Sequence, residues 1–478
     1  MAQWERLKQL DSVCLQRVDE LYHTDALPMA VREFLAHWIE EQDWVGATRD
    51  SSRAVVLFQI LLENLDNQYS RFVQENNFLM HRNFRHFKQQ FQQSAEHLLS
   101  VLLEELVEWK RRQEVSCIGA PEDTNLEPLE KWFTAVGDRM FQLRKFLQKL
   151  EELKDKLSYD EDPIKTQKPK LQDQVDALLT TLLKSAFVVE TQPSMPQGRG
   201  PLVLRTNVQF SVKTRYRRFN VLGTSSKALN MSESMSGGMV ADFRHLTLKE
   251  QKVGGGGKGN NDLSLSVTEE LHTIHFETQF NLHGLSVSLE TCSLPVVVIS
   301  NSSQQQSAWA SVLWFIMLST DPKNLVFFAS SPVATWSQLG QMLSWQFQSC
   351  AKRGLDADQL DTLALKLFGK QDNYENCKIS WTRFSKENIP GQNFTLWVWL
   401  DGILNLVKVY LANMWEDGSI MGFVSKGTEK ALLKKKQSGT FLLRFSESIR
   451  DGGITFSWVE YCNKGIYCVC VCVILHTH

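Results

Sequence analysis

The spacing of apolar positions changes character several times along the 478 residues. From residue 1 to about 92, short apolar patterns alternate with helix stops such as Asp43-Trp44 and Asn76-Asn77. This predicts a compact helical domain anchored by Trp4, Trp38 and Trp44. Residues 93–192 carry helical spacing of another kind. Leu99, Leu102, Leu106 and Trp109 are separated by 3, 4 and 3, and Leu129, Phe133, Val136, Met140, Leu143, Leu147 and Leu150 keep a 4-3 alternation. Leu171, Val175, Leu178 and Leu182 repeat it after Asp162-Pro163. Such spacing predicts a helical bundle or coiled coil.

From about 193 to 331 the runs shorten and alternate, as in Leu202–Leu204, Val208–Phe210, Leu285–Leu289 and Val296–Ile299, with Gly and Asn between them. A β-sandwich of the immunoglobulin-like kind is expected. Residues 332–415 return to helix, with Trp336, Leu339, Met342, Leu343, Trp345 and Phe347 forming a wide apolar face. Near the end, Trp415–Leu433 reads as a turn and then a helix. The strand Gly439-Thr-Phe-Leu-Leu-Arg-Phe-Ser-Glu-Ser448 follows. Phe441, Leu443 and Phe445 alternate onto one face of that strand, and Leu442 and Arg444 onto the other. The expected fold is therefore multidomain α+β.

An arginine on so apolar a strand is costly to bury unless an anion receives it. Two anions fit: a carboxylate of the chain itself, or a phosphate met by the guanidinium fork and the small hydroxyls of Ser446 and Ser448. Charge adds a second site. The chain is near neutral at −2, yet residues 201–260 hold ten Lys or Arg against three acids. A basic concentration on a β domain suits nucleic-acid phosphates, although a solvated charged face reads the same way.

Other chemistry is excluded or weak. Gly254-Gly-Gly-Gly-Lys258 has Lys252 and Gly259 where a phosphate loop needs Gly and Ser or Thr. No paired carboxylates, nucleophile triad, metal cluster or nucleotide loop points to an enzyme, and no cofactor is expected. The start lacks a signal peptide, and no run reaches the roughly 18 apolar residues of a membrane span. Nine cysteines, scattered except for four in the last stretch, suggest reduced thiols in the cytosol or nucleus. Residues 464–478, with alternating Cys and Val, read as an unrelated tail such as an intron read-through or alternative terminal exon would give. A zinc site is the other reading, but its ligands usually sit at wider spacings.

The order helix, turn, arginine strand resembles an SH2 domain. With Met421-Gly-Phe-Val-Ser-Lys426 ahead of it, the strand resembles the STAT family (signal transducers and activators of transcription), interferon-responsive type. Further resemblances run along the chain. They include Phe34-Leu-Ala-His-Trp38 in the N-terminal segment and Glu105-Leu-Val-Glu-Trp-Lys-Arg-Arg-Gln113 and Ser185–Pro193 in the coiled coil. Trp381-Thr-Arg-Phe-Ser-Lys386-Glu387 and Trp397-Val-Trp399 lie in the linker. The resemblance implies a helical N-terminal interaction domain (1–92), a shortened coiled coil (93–192), a DNA-binding domain (193–331), a linker (332–415) and a partial SH2 domain (416–463).

It also implies roles. Lys426, Arg444, Ser446, Glu447 and Ser448 would bind phosphotyrosine. Lys213, Thr268, Glu269, Glu270, Ser300 and Asn301 would contact DNA. Leu246, Lys249 and Lys252 would form a nuclear-import surface, Trp38 and Phe78 an N-domain interface, and Lys386 and Glu387 would influence residence on DNA. The partners implied are DNA, phosphotyrosine receptors, other STAT proteins as homo- or heterodimers, JAK-type tyrosine kinases and importins, in cytoplasm and nucleus.

Against the family pattern, the first coiled-coil helix and much of the second are expected to be missing. So are a strand pair after Arg215 and the second half of the SH2 domain, with the family's phosphorylated tyrosine beyond it. The two resulting expectations are a cytokine- or interferon-responsive transcription factor and a shortened, non-signalling or dominant-negative interaction protein.

Overall fold

The computed structural model describes residues 3–24 and 29–49, scattered helical positions between 53 and 68, and 99–154. It further describes 163–215 apart from 197 and 199, then 232–233, 239–249, 265–462 apart from 283 and 435, and 465–473. These residues form two compact units: 1–107 with 126–186, and 108–125 with 187–478. Phe78, Lys252 and the 216–231 segment after Arg215 lie outside the described residues.

In the first unit, short helices Gln3–Leu7, Ser12–Thr24, Met29–Glu41 and Trp44–Arg49 follow one another. Asp11 caps the second through the amides of Val13 and Cys14. Trp4, Val31, Leu35 and Ala36 are buried. Glu40 ties the corner by accepting from the Trp4 amide at 2.6 Å and from Arg32 at 3.0 Å. Trp38 is half-buried and meets the exposed Trp44 edge to face at 5.8 Å, so aromatic surface is exposed there.

The coiled-coil spacing becomes two long helices, Glu127–Lys154 and Pro163–Ala186, packed on each other. Pro163 occupies the first helical position, where its missing N–H costs nothing. The seam buries Leu129, Met140, Val175, Leu179 and Leu182, while Phe133, Val136 and Leu178 are only half-buried. Arg144 crosses the seam to Asp176 at 2.7 Å.

The second unit opens with the end of the 99–116 helix. Its Gln113 donates to the carbonyls of Val189 and Glu190 and accepts from Gln192, which in turn accepts from the Leu294 amide. This buried amide relay fixes β1 (Val188–Ser194), which starts before the expected boundary at 193. The β region comprises three sheets. One is ordered β1-β3-β5-β4, with β3 spanning Gln209–Arg215, β4 Ser232–Glu233 and β5 Met239–Thr247. The second is β2-β9-β6 (Val203–Arg205, Val296–Ile299, Leu271–His272), and the third the hairpin β7 (His275–Leu282) with β8 (Leu285–Cys292).

One element departs from the expected all-β character of 193–331. Gln305–Leu318 is a helix whose residues Ala308–Ile316 are all buried. A continuous apolar run has no periodicity to mark it, so the same pattern serves a buried strand or a buried helix.

The helical linker packs an aromatic core in which Trp314 stacks on Phe384 at 5.2 Å and Phe384 meets Trp397 at 5.5 Å. A short β10 (Ala334–Thr335) pairs with β11 (Lys378–Ile379) beside it. The last sheet is ordered β12-β13-β14-β15: Ile420–Gly422, Phe441–Phe445, Ile454–Cys462 and Gly465–Val473. Residues 464–478, set apart above as an unrelated tail, therefore supply this sheet with a fourth strand, in nine consecutive register pairs with β14. Alternating Val and Cys suits a pleated strand whatever its origin.

This sheet joins the linker through Gly402 and Gly452. A Cβ on Gly402 would lie 2.5 Å from the Asp451 carbonyl carbon, and Gly452 has φ +81. Only glycine allows that backbone approach.

Candidate phosphate-binding and DNA-binding sites

The strand β13 places Arg444 in the middle of the last sheet, beside Gly422 of β12 and Thr455 of β14. The expected face pattern is only half observed. Leu442 and Arg444 are buried together, and Leu442 packs with Leu433 and Val459. On the other face Phe445 is buried against Trp415, Phe423 and Phe347, whereas Phe441 is 58% exposed.

Arg444 is 2% exposed, and the anion that receives it is Glu429, itself 1% exposed. The Nε of Arg444 and the hydroxyl of Ser457 donate to the two oxygens of this carboxylate, and Nη1 also donates to the Phe445 carbonyl. Glu429 sits on the helix Lys426–Leu433, capped by Ser425. Lys426 lies three residues before it on the same helix face, exposed at the first turn. The helix is thus tied to the strand through Glu429, a residue the sequence reading missed. Its signal was present: a buried arginine requires an anion, and an acid stands at the N-terminal turn of the preceding helix.

The residues after the strand are held differently from one another. Ser446 is 2% exposed; its amide donates to the Gly453 carbonyl and its carbonyl accepts from Trp399. Glu447 accepts from Lys366 at 3.4 Å, and Ser448 is exposed.

The DNA-contact candidates separate into two groups. Lys213 shares Glu190 with Arg215, at 2.9 and 2.7 Å. Burial pushes the Glu190 carboxyl up, but the hydrogen bonds from Arg215 and Lys213 outweigh it and hold the group below its ordinary value. Arg244 is likewise paired, with Asp242. Part of the basic excess is therefore neutralised within the sheet β1-β3-β5-β4. Lys249 is exposed and Leu246 half-buried.

Glu269 is corrected from a DNA contact to an internal anchor. It is 3% exposed and accepts from Trp381 Nε1 at 2.6 Å, from Lys386 Nζ at 2.5 Å and from the Ser266 amide at 3.0 Å. Burial raises its pKa, and Lys386, Trp381 and Ser266 together bring it below the ordinary value. Thr268 and Glu270 flank it, half-buried and exposed. Lys386 is thus paired with Glu269, while Glu387 is exposed.

Ser300 and Asn301 are exposed at the end of β9. Asn301 Oδ1 accepts from the Ser303 amide, and Gln304 Oε1 accepts from the amides of Ser300 and Asn301. This capping box fixes the loop and engages Asn301 Oδ1 as an acceptor.

Among the described residues, no group of three or more His, Cys, Asp or Glu could hold a metal ion. Nor is any helix among them long and apolar enough to cross a membrane.

Comparison with known proteins completes the picture. Four family models match in succession: the STAT transcription factor coiled-coil domain over residues 57–179, the STAT protein DNA-binding domain over 215–299, the STAT linker domain over 321–400 and an SH2 domain over 415–471. The coiled-coil match begins inside the segment assigned above to the N-terminal domain, and the SH2 match runs through most of β15. Signal transducer and activator of transcription 4 of Homo sapiens is 36% identical, over 97% of this chain and 83% of its own length. The Mus musculus protein of that name is 35% identical with the same coverage. The human alignment spans 622 positions against the chain's 478 residues, so the relative carries internal segments without a counterpart here. With a relative this similar along nearly its whole length, and the four modules in order, the chain belongs to the STAT family of transcription factors.

Proposed function

We propose that the chain recognises phosphotyrosine through Arg444, assembles into dimers and binds DNA as a cytokine- or interferon-responsive STAT. The observation that carries this reading is the buried Arg444 at the centre of an SH2-type sheet. Its Nε donates to Glu429 and its Nη1 to the Phe445 carbonyl, which fixes the guanidinium in place, and in this reading a phosphate dianion meets its remaining N–H donors. Lys426, one helical turn from Glu429, adds a second cation. Ser446, Glu447 and Ser448 shape the adjoining loop.

In this reading, phosphotyrosine receptors recruit the chain, JAK-type kinases phosphorylate it or its partners, and importins engage the surface around Leu246, Lys249 and Lys252. Cytoplasm and nucleus are its two locations. Lys213 and Thr268 contact the DNA backbone, and Asn301, with the exposed carboxylate of Glu270, meets base edges. Trp38 and Phe78 contribute to contacts between dimers.

A second reading, a shortened interaction protein that binds partners without signalling, is favoured by the internal segments missing relative to the human protein. One experiment addresses both: fluorescence anisotropy of a phosphotyrosine peptide against the chain and its Arg444→Lys variant. Lysine keeps the charge facing Glu429 but loses the fork. Micromolar binding weakened about tenfold or more by the substitution supports the proposal. A folded chain that ignores the peptide, or a variant that binds equally well, refutes it.

A further inference from the structure

β15 is the outer strand of its sheet. It pairs with β14 from Cys462↔Gly465 to Ile454↔Val473, and among the described residues no strand lies on its other side. A nine-residue edge offers a row of backbone N–H and C=O groups seeking partners. Proteins usually blunt such edges with lysine, proline, a bulge or short length. β15 has none of these. Gly465–Val473 contains no charged residue and no proline, and its register with β14 runs without a shift. The strand is rich in residues that favour further pairing.

The sequence itself indicates what the edge fits. Cys468-Val469-Cys470-Val471-Cys472 reads the same in both directions about Cys470. If two copies approach antiparallel about a twofold axis at Cys470, Cys468 falls opposite Cys472, Val469 opposite Val471, and Cys470 opposite itself. Across these five positions each cross-strand pair matches like with like, Tyr467 falls opposite Val473, and the strand brings no charge to the contact. The register with β14 sets Cys468, Cys470 and Cys472 opposite Val459, Ser457 and Thr455, two residues apart along the strand.

We propose that β15 is a homodimerisation edge, through which two copies of this chain join their SH2-type sheets into one continuous antiparallel sheet. The contact uses backbone hydrogen bonds and requires no phosphotyrosine, so it is independent of the function proposed above. Residues directly opposed across such a pair have Cα atoms about 4.5–5.5 Å apart, within the span of a disulfide. Cysteine crosslinking therefore reports the register.

The test begins with sedimentation of the full, reduced, phosphatase-treated chain over about a hundredfold dilution range. A dimer that dissociates on dilution is expected. In the Val469→Lys/Val471→Lys variant, like charges meet across the axis, and association should weaken at least about tenfold. The second arm uses a Cys468→Ser/Cys472→Ser chain treated with diamide, which accepts the two thiol hydrogens as the disulfide forms. Peptide mapping should then find the Cys470–Cys470 link between copies, and this arm decides alone if the charged variant does not fold. A monomer at every concentration, a dimer that survives the lysines in a folded chain, or crosslinks elsewhere would overturn the proposal.

Discussion

Two glutamates in the second unit are almost equally buried and do opposite work. Glu269 is 3% exposed and Glu429 1% exposed, and each meets a cation from a neighbouring element. Lys386, the partner of Glu269, is half in solvent at 51% side-chain exposure. The carboxylate there is held by Lys386, Trp381 and the Ser266 amide, and the contact fastens the turn Val267–Glu269 to the helix Trp381–Ser385. Arg444, the partner of Glu429, is itself buried. Neither member of that pair can be removed without leaving the other charge stranded. The first pair joins two elements through a cation left half in solvent; the second fixes a fully buried cation within the sheet.

Glu429→Gln should give the largest effect, because it leaves Arg444 buried without its counter-ion, at about 3–5 kcal/mol. Thermal melts should show this loss. A saturating phosphotyrosine peptide should restore much of it by supplying the missing negative charge, and the unphosphorylated peptide should not. If the phosphopeptide restored nothing, the second pair would be structural, like the first.

Glu269→Gln should cost less, roughly 1–3 kcal/mol, since the amide still accepts from Trp381. Its expected signature is faster dissociation from DNA with phosphopeptide binding unchanged. Acid should reproduce it. The folded pKa of Glu269 lies below the ordinary 4.5, so its contribution is complete above that pH and is lost as pH falls through the lower folded value. Equal loss of DNA and phosphopeptide binding would remove the distinction between the two sites.

A third carboxyl sharpens the contrast. Glu114 Oε1 is buried without a hydrogen-bond partner, and burial raises the group to about 7, only partly opposed by Arg111. Here the folded state holds the proton more tightly than the unfolded chain. Stability should therefore decline as pH rises from about 4.5 to 7. Glu114→Gln should stabilise the chain near pH 8 by on the order of 1 kcal/mol, with the gain shrinking toward pH 4.5. A pH-independent difference in melting temperature would contradict this.

Much of the architecture was legible because periodicity is a local property. Heptad spacing announced the helices Glu127–Lys154 and Pro163–Ala186, and alternation announced β3, β8 and β13. The apolar run Ala308–Ile316 gave no such signal, and its helix emerged only from burial on all sides. Site residues followed the same division. Arg444 was conspicuous as a lone charge on an apolar strand. Its partner Glu429, fifteen residues away, looked like any acid in a first helical turn.

By itself the sequence determined the order of modules, the strand that carries Arg444 and the need for an anion beside it, since these follow from residue type and near-neighbour spacing. Only the tertiary structure decided which anion that is, that Glu269 faces inward to Trp381 and Lys386, and that Gly465–Val473 closes the last sheet. Each of those outcomes depends on groups far apart in the chain meeting in space. The free energy of burying a charge or pairing an edge is set by that meeting, not by the residues on either side.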